Sequence, residues 1–372
     1  MNRNKLTKRF LLLSAALTMA LGQSAFAGET VALNLDDAML RAFQTNPTVS
    51  IAQYELDSAR ASYNAARQSR GISISANHTT QRDGYDDAQQ AAPGIWTKGI
   101  GNNHANSLSA SLPIFTGGKL SGTIKQAKAN YQYNEVGVQR TYNEMRSTVT
   151  DGYFNMLQAD NIQKLSAESV TRLEDHLKNV QAQYNVGVVA KVDVLRSQVE
   201  LANAKQTLIQ AENAYQVAEA NMNKIVGLPM DTNLKLDNLL VYNAYDKNMD
   251  DCLAYAAEHR PELMQAKYGV DAAKGALMVA RSGHMPQVAA SATQQWSDSS
   301  WPGDDNGKWG VGVNVSMNVF DTGVTLSKIH GAEADLKKAE ETYRNTVDSV
   351  NLDVRSNYLG LREAEKRIST TK

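Results

Sequence analysis

Apolar and small residues recur at sevenfold spacing through the middle of the chain: Tyr142, Val149, Met156, Gln163, Val170, Leu177 and Tyr184 make one stripe, and Met145, Gly152, Ala159, Ser166, Leu173 and Val180 stand three places on. This is an a/d seam sustained over about six heptads, and it predicts one helix over about 119–184, with Thr116 as its N-cap. At 1.5 Å per residue such a helix is roughly 100 Å long, more than a globular domain or a bilayer needs. After it, Gly187 suits a left-handed helix end and Asp193 suits the start of a return helix, so the chain is expected to fold back as a helical hairpin. The return arm is rich in Ala and Gln and stops at Gly227-Leu228-Pro229.

Elsewhere the period changes from helical to alternating. In Ser107-Leu108-Ser109-Ala110-Ser111-Leu112-Pro113-Ile114 and again over 311–319, apolar residues alternate with small polar ones, which predicts strands with one apolar and one wet face. Ile72-Ser73-Ile74-Ser75 and residues 288–293 are weaker versions, of the length expected for strands crossing an outer membrane at a tilt. All four tryptophans, Trp96, Trp296, Trp301 and Trp309, fall at strand ends or between strands, as membrane-interface aromatics of a girdle would. Asp83, Asp86, Asp87, Asp298, Asp304 and Asp305 lie nearby among Gly, Asn and Ser, a composition that reads as solvated loop, with a calcium site as the weaker reading. Four strands cannot close a barrel and open edges are not tolerated in lipid, so several protomers would have to share one barrel.

The pattern occurs twice. Setting Pro47 on Pro261 also aligns Asp36, Asp37, Tyr54, Asp57, Ala66 and Arg67 with Asp250, Asp251, Tyr268, Asp271, Ala280 and Arg281 without a gap, and later Phe115 meets Phe320 and Tyr153 meets Tyr358. The expected organisation is a first repeat over 28–227, with a strand pair at about 71–115 and a long helical hairpin at about 119–227. A linker over 228–247 follows, then a second repeat over 248–372 with a strand pair at about 286–320. By the same alignment Lys372 corresponds to Ala167, so the second repeat stops inside its long helix, and the sequence is expected to be a fragment or a C-terminally truncated product.

Composition then narrows the class. Arg3, Lys5, Lys8 and Arg9 precede an apolar run over 10–21 and the small-x-small site Ala25-Phe26-Ala27, so residues 1–27 are expected to be a signal peptide. The 38 Lys+Arg against 39 Asp+Glu leave no basic surface for nucleic acid. Cys252 is the only cysteine, so no disulfide framework exists. No later segment is apolar for long enough to be a transmembrane helix. His78, His104, His176, His259, His284 and His330 are scattered, without an HxxxH pair or a cysteine partner. Asp36-Asp37 and Asp250-Asp251 read as acidic helix starts and not as a catalytic pair. No catalytic residue, metal or cofactor is expected, and the chain does not read as an enzyme.

The order of elements, the strand endings PIFTGG and NVFDTG, and the turn YNVGVVAKVDVLRSQVELANAK resemble the TolC-like outer-membrane efflux proteins over essentially the whole chain after residue 27. The resemblance implies a mainly α chain of two tandem repeats, with long coiled-coil helices and β-hairpins. It further implies a homotrimer in which an α-helical barrel joins a 12-stranded transmembrane β-barrel. Such a trimer would be an exit duct of an efflux or type I secretion system, seated in outer-membrane lipid with its helices in the periplasm. It implies a periplasmic adaptor protein docking at Val186, Gly187, Val188, Val189 and Ala190, an inner-membrane transporter engaged indirectly, and a periplasmic gate to which Asp193 belongs. Lys191-Val192 before Asp193 departs from the family pattern, where a small hydroxyl residue is common. The alternative is a surface-anchored coiled-coil structural or adhesive protein; a periplasmic adaptor also uses helical hairpins but lacks strand pairs flanked by tryptophan.

Overall fold

The computed structural model describes residues 30–92, 95–237 and 244–371; the expected signal peptide lies outside them. The elements in chain order are β1 (Val31–Leu33), α1 (Leu35–Thr45), α2 (Pro47–Gln68), β2 (Ser73–Ala92), β3 (Ile95–Phe115), α3 (Lys119–Asn185), α4 (Lys191–Val226) and β4 (Leu234–Leu236). Then come α5 (Met249–His259), α6 (Pro261–Arg281), a 3-10 turn (Ser282–His284), β5 (Gln287–Asp298), β6 (Lys308–Ser316) and α7 (Val324–Thr371). The chain is mainly helical, and it divides into two compact units, one of Thr141–Ala244 with the described residues up to Ser50, the other of Ile51–Arg140 with Tyr245–Lys372.

In the first unit the core forms where small residues let helices approach. Ala38 and Ala42 of α1 are fully buried against Val149, Tyr153 and Met156 of α3 and Met222 and Val226 of α4. The Tyr153 hydroxyl donates to the Asp237 carbonyl at 2.8 Å and lies 3.4 Å from the Leu33 carbonyl, tying α3 to the ends of the parallel β1–β4 ribbon. Burial pushes the Tyr153 phenol up, so the neutral donor is the form the site favours. The end of α4 is satisfied by side chains from the end of α1. Arg41 Nε donates to the Val226 carbonyl at 3.2 Å and Asn46 Nδ2 to the Ile225 carbonyl at 2.9 Å. The Thr45 hydroxyl sits 2.8 Å from the Arg41 carbonyl and 2.9 Å from the Val226 carbonyl, with one proton to share between them. Gly227 then turns the chain at φ 70°, and a Cβ there would stand 2.5 Å from Thr45 Oγ1, so both conformation and space require glycine.

In the second unit β2, β3, β5 and β6 form one antiparallel sheet in that order. The register divides it into two chemically distinct faces. Ile74 pairs with Ala110, Ala76 with Leu108, Leu112 with Ala290, Ala292 with Val311 and Ala290 with Val313, so these share one face. On the other, Ser75 pairs with Ser109, Asn77 with Ser107, Ser111 with Ser291 and Ala289 with Asn314. The acidic stretch after Asp83 differs from its expectation as loop: Asp83 pairs with Gly101, Gly84 with Ile100 and Tyr85 with Gly99, the ladder continuing past bulges after Tyr85 and Gln90. Strands that already face each other residue by residue propagate the ladder whatever the polarity of their side chains. The strand expected over 311–319 stops instead at Ser316, because its partner there, Gln287, is the first residue of β5.

In the same unit, α3 and α6 approach closely at glycines. A Cβ on Gly122 would lie 2.8 Å from the Gly275 carbonyl oxygen, and one on Gly275 would lie 2.7 Å from the Gln126 nitrogen. Ala256 of α5, Leu263 of α6 and Val350 of α7 make a second small core. The start of α7 is held by Asp321, whose carboxylate accepts from the Thr325 hydroxyl, the Thr325 N–H at 2.9 Å, the Gly323 N–H at 3.2 Å and Asn318 Nδ2 at 3.2 Å. The Thr325 hydroxyl above all, with the N–H groups and the charge of His284, holds this carboxyl below the usual carboxylate range against an opposing effect of burial. A lowered acid contributes stability that is fully present above its unfolded value of about 3.9 and is lost as pH falls through the folded one. Acid titration followed by circular dichroism is therefore expected to show part of the stability lost below about pH 4, with a shallower decline over that range in Asp321→Asn.

Candidate functional site

The turn between α3 and α4 carries the expected docking residues. Its form is set by backbone hydrogen bonds: the Gly187 N–H donates to the Tyr184 carbonyl and the Val188 N–H to the Gln183 carbonyl, each at 2.9 Å, with Gly187 at φ 78°. This is a Schellman closure, which satisfies the last carbonyls of α3. Nothing lies within 4 Å of a Cβ at Gly187, so only the backbone conformation selects glycine. The side chains of Val186 and Val188 are 74% and 72% exposed, Val189 is half-buried and Ala190 is exposed. An uncharged pair of valines thus stands in solvent at a turn whose backbone is fully specified. Behind it Val180 of α3 and Val194 and Ser197 of α4 are buried, and Lys205 of α4 pairs with Glu174 of α3 at 2.8 Å.

Asp193, the expected gate residue, has a local role within one chain. Its Oδ2 accepts the Ala190 N–H at 3.1 Å, while its own N–H donates to the Ala190 carbonyl at 3.0 Å. Ala190 has no side-chain acceptor, so only the acidic half of a capping box exists. Asp193 therefore starts α4 by satisfying one free N–H and by placing negative charge at the helix start, and its side chain remains half-exposed.

The tryptophans belong to the other unit. Trp96 lies in β3 opposite Gln90, Trp296 in β5 opposite Asn106, Trp309 in β6 opposite Gln294, and Trp301 in the connection between β5 and β6. The register puts Trp296 and Trp309 on the face of Leu108, Ile74, Val311, Val313 and Val315. Ile74, Leu108, Leu112, Val311, Val313, Val315, Trp301 and Trp309 are all exposed. The sheet ends at β2 on one side and β6 on the other, so both edges present unpaired backbone groups within the chain. Among the described residues no group of three or more His, Cys, Asp or Glu could hold a metal, and no helix is long and apolar enough to cross a membrane. Sequence reading missed that His78 and His104 share one face of the sheet; the HxT spacing at His78 and Thr80 was visible, but its partner strand position was not.

Comparison with known proteins gives these features a context. The sequence model described as "Outer membrane efflux protein" matches residues 39–228 and 253–372. Outer membrane protein TolC of Escherichia coli (strain K12) is 24% identical over 374 residues, covering 96% of this chain and 73% of that protein. Among solved structures, the outer membrane protein VceC of Vibrio cholerae superposes with a TM-score of 0.76 at 15% identity, covering 91% of this chain and 81% of that one. The Campylobacter jejuni CmeC outer membrane channel gives a TM-score of 0.75 at 16% identity, covering 90% and 74%. These likenesses establish the fold, a helical one with β-strands inserted.

The cap and the gate separate by substitution. Asp193→Asn keeps an acceptor for the Ala190 N–H and removes the charge, whereas Asp193→Ala removes both. A cap acting alone predicts that Ala lowers stability by about 1 kcal/mol while Asn is near neutral. A charge that closes an aperture predicts that both substitutions raise the resting conductance of the assembled protein in a planar bilayer; wild-type conductance in both would remove Asp193 from the gate.

Proposed function

The chain belongs to the outer membrane efflux protein family, and from that premise we propose that it forms a passive exit duct through the outer membrane, one component of an efflux or type I secretion system. The observation that carries the reading is the four-stranded sheet with one apolar face, one face of Ser, Thr, Asn and Gln, and two free edges. In hydrocarbon an unpaired backbone group costs several kcal/mol. The nine residues of β6 alone would then exceed the roughly 5–15 kcal/mol that keeps a domain folded. Pairing β6 of one copy with β2 of the next removes the cost at both edges. Three copies give twelve strands, enough for a closed barrel.

In that barrel the apolar face meets lipid, the polar face lines water, and Trp96, Trp296, Trp301 and Trp309 form the aromatic girdle. The long helices stand in the periplasm. The exposed Val186 and Val188, with Gly187, Val189 and Ala190, dock a periplasmic adaptor protein, which connects the duct to an inner-membrane transporter. Their lack of charge and fixed backbone favour a packing contact. Asp193, one turn behind them, supplies a carboxylate able to pair across a protomer boundary and to be released by a few kcal/mol of adaptor contacts. Energy for export comes from the transporter, and the duct needs no catalytic group.

The test is covalent. With Cys252 replaced, single cysteines are placed along residues 73–79 of β2 and 310–316 of β6, and the protein in outer membranes is oxidised. Closure of three chains predicts denaturing-gel bands for two and three linked chains and nothing larger. Absence of β2–β6 cross-links at every register, or a ladder continuing beyond three, would contradict the shared barrel.

A further inference from the structure

His78 and His104 are brought together by the register of β2 and β3, which pairs His78 with Asn106 and Thr80 with His104 on one face of the sheet. Their hydrogen bonds fix which ring nitrogens carry protons. Asn106 Nδ2 donates to the carbonyls of Pro302 at 2.9 Å and Gly303 at 3.0 Å, so its Oδ1 is the acceptor facing His78 Nδ1 at 2.8 Å. In the neutral ring His78 Nδ1 therefore carries the proton and Nε2 is bare. Nε2 lies 3.0 Å from the Thr80 hydroxyl oxygen and accepts its proton. That oxygen in turn accepts from His104 Nδ1, also at 3.0 Å. Two imidazole nitrogens from different strands are thus aimed at one small atom.

We infer that His78 and His104 form a two-imidazole binding site for a divalent transition-metal ion of the copper, nickel or zinc class, with the ion held between His78 Nε2 and His104 Nδ1. Imidazole is a ligand of choice for these ions. His78 is already the correct tautomer, and its Nδ1–H to Asn106 is the outer hydrogen bond that orients a ligating ring and raises its basicity. Ligation by His104 moves its proton from Nδ1 to Nε2 and turns the Thr80 hydroxyl away, with no net change in protonation. Asp298 stands opposite His104 in the register with β5, but its two oxygens accept from Ser299 at 2.6 Å and Ser300 at 2.6 Å. Water completes the coordination shell. Both strands belong to one chain, and the register puts the site on the face of Ile74 and Leu108, level with Trp296, where the duct reading has the aromatic girdle and water within reach.

The structure supplies a reporter. The Trp301 ring packs edge-on against His78 at a centroid distance of 4.9 Å and against His104 at 5.7 Å. Cu²⁺ at the site would quench its fluorescence. Titration of the full chain in detergent with Cu²⁺ is expected to give saturable quenching and one bound ion per chain by calorimetry. His78→Asn and His104→Asn each weaken binding about tenfold or more, while Trp301→Phe keeps the calorimetric binding and loses the quenching. Thr80→Val breaks the hydrogen-bonded bridge but keeps both imidazoles, and it retains binding. Binding unchanged in both histidine variants would assign the ion to other groups and overturn the proposal. Loss of binding in Thr80→Val equal to that in the histidine variants would overturn it too, because the variants would then act through the fold.

Discussion

Every backbone N–H and C=O along a strand edge needs a partner, and the functional reading rests on where β2 and β6 find theirs. In water the edges of the β2–β3–β5–β6 sheet would be a liability for aggregation. In lipid they would cost more than the folded chain can supply. The faces of the same sheet point the same way. A soluble sheet of this size buries its apolar face against a second layer, yet Ile74, Leu108, Val311, Val313 and Val315 are exposed along one side. Edge and face together call for a surrounding that is both apolar and completed by further strands.

The helical part obeys a different economy, in which local hydrogen bonds define the ends and small residues set the distances. At the α3–α4 turn, the Schellman closure at Gly187 and the Asp193 carboxylate on the Ala190 N–H fix both helix ends within a few residues. The two valines between them are held in position without any packing of their own. At the other end of α4, Arg41, Thr45 and Asn46 of α1 and its C-cap occupy the last carbonyls. The return helix is thereby pinned at both ends, one locally and one by a distant part of the sequence.

That contrast explains what could be read from the residues alone. The heptad stripe over 142–184 and the Gly187 stop are local signals, and α3 runs Lys119–Asn185 with Gly187 left-handed. Alternation over 107–114 and 311–319 likewise placed strands, and with them the two faces of the sheet, although β6 ends at Ser316. Strand pairing was not local. The ladder through Asp83, Gly84 and Tyr85 follows from the residues opposite and not from their own polarity, so an acidic stretch read as loop is strand. The end of β6 depends on where β5 begins. His78 and His104 looked unrelated because only the register shows that they are diagonal neighbours. The clasp of Thr45 on Val226 spans most of the first unit and left no mark in either segment.

Whether one face of this sheet meets lipid and the other meets water is read out by single-residue accessibility along β6. Cysteines placed one at a time from Trp309 to Ser316, in a Cys252-free protein in native outer membranes, would be labelled with a membrane-impermeant thiol reagent and, separately, with an environment-sensitive fluorophore. A lipid-facing and a water-facing side give strict alternation: Val311, Val313 and Val315 positions protected from the aqueous reagent and reporting a hydrocarbon environment, Gly310, Gly312 and Asn314 positions labelled and polar. Uniform aqueous labelling along the strand, with no period of two, would contradict it and return the sheet to water.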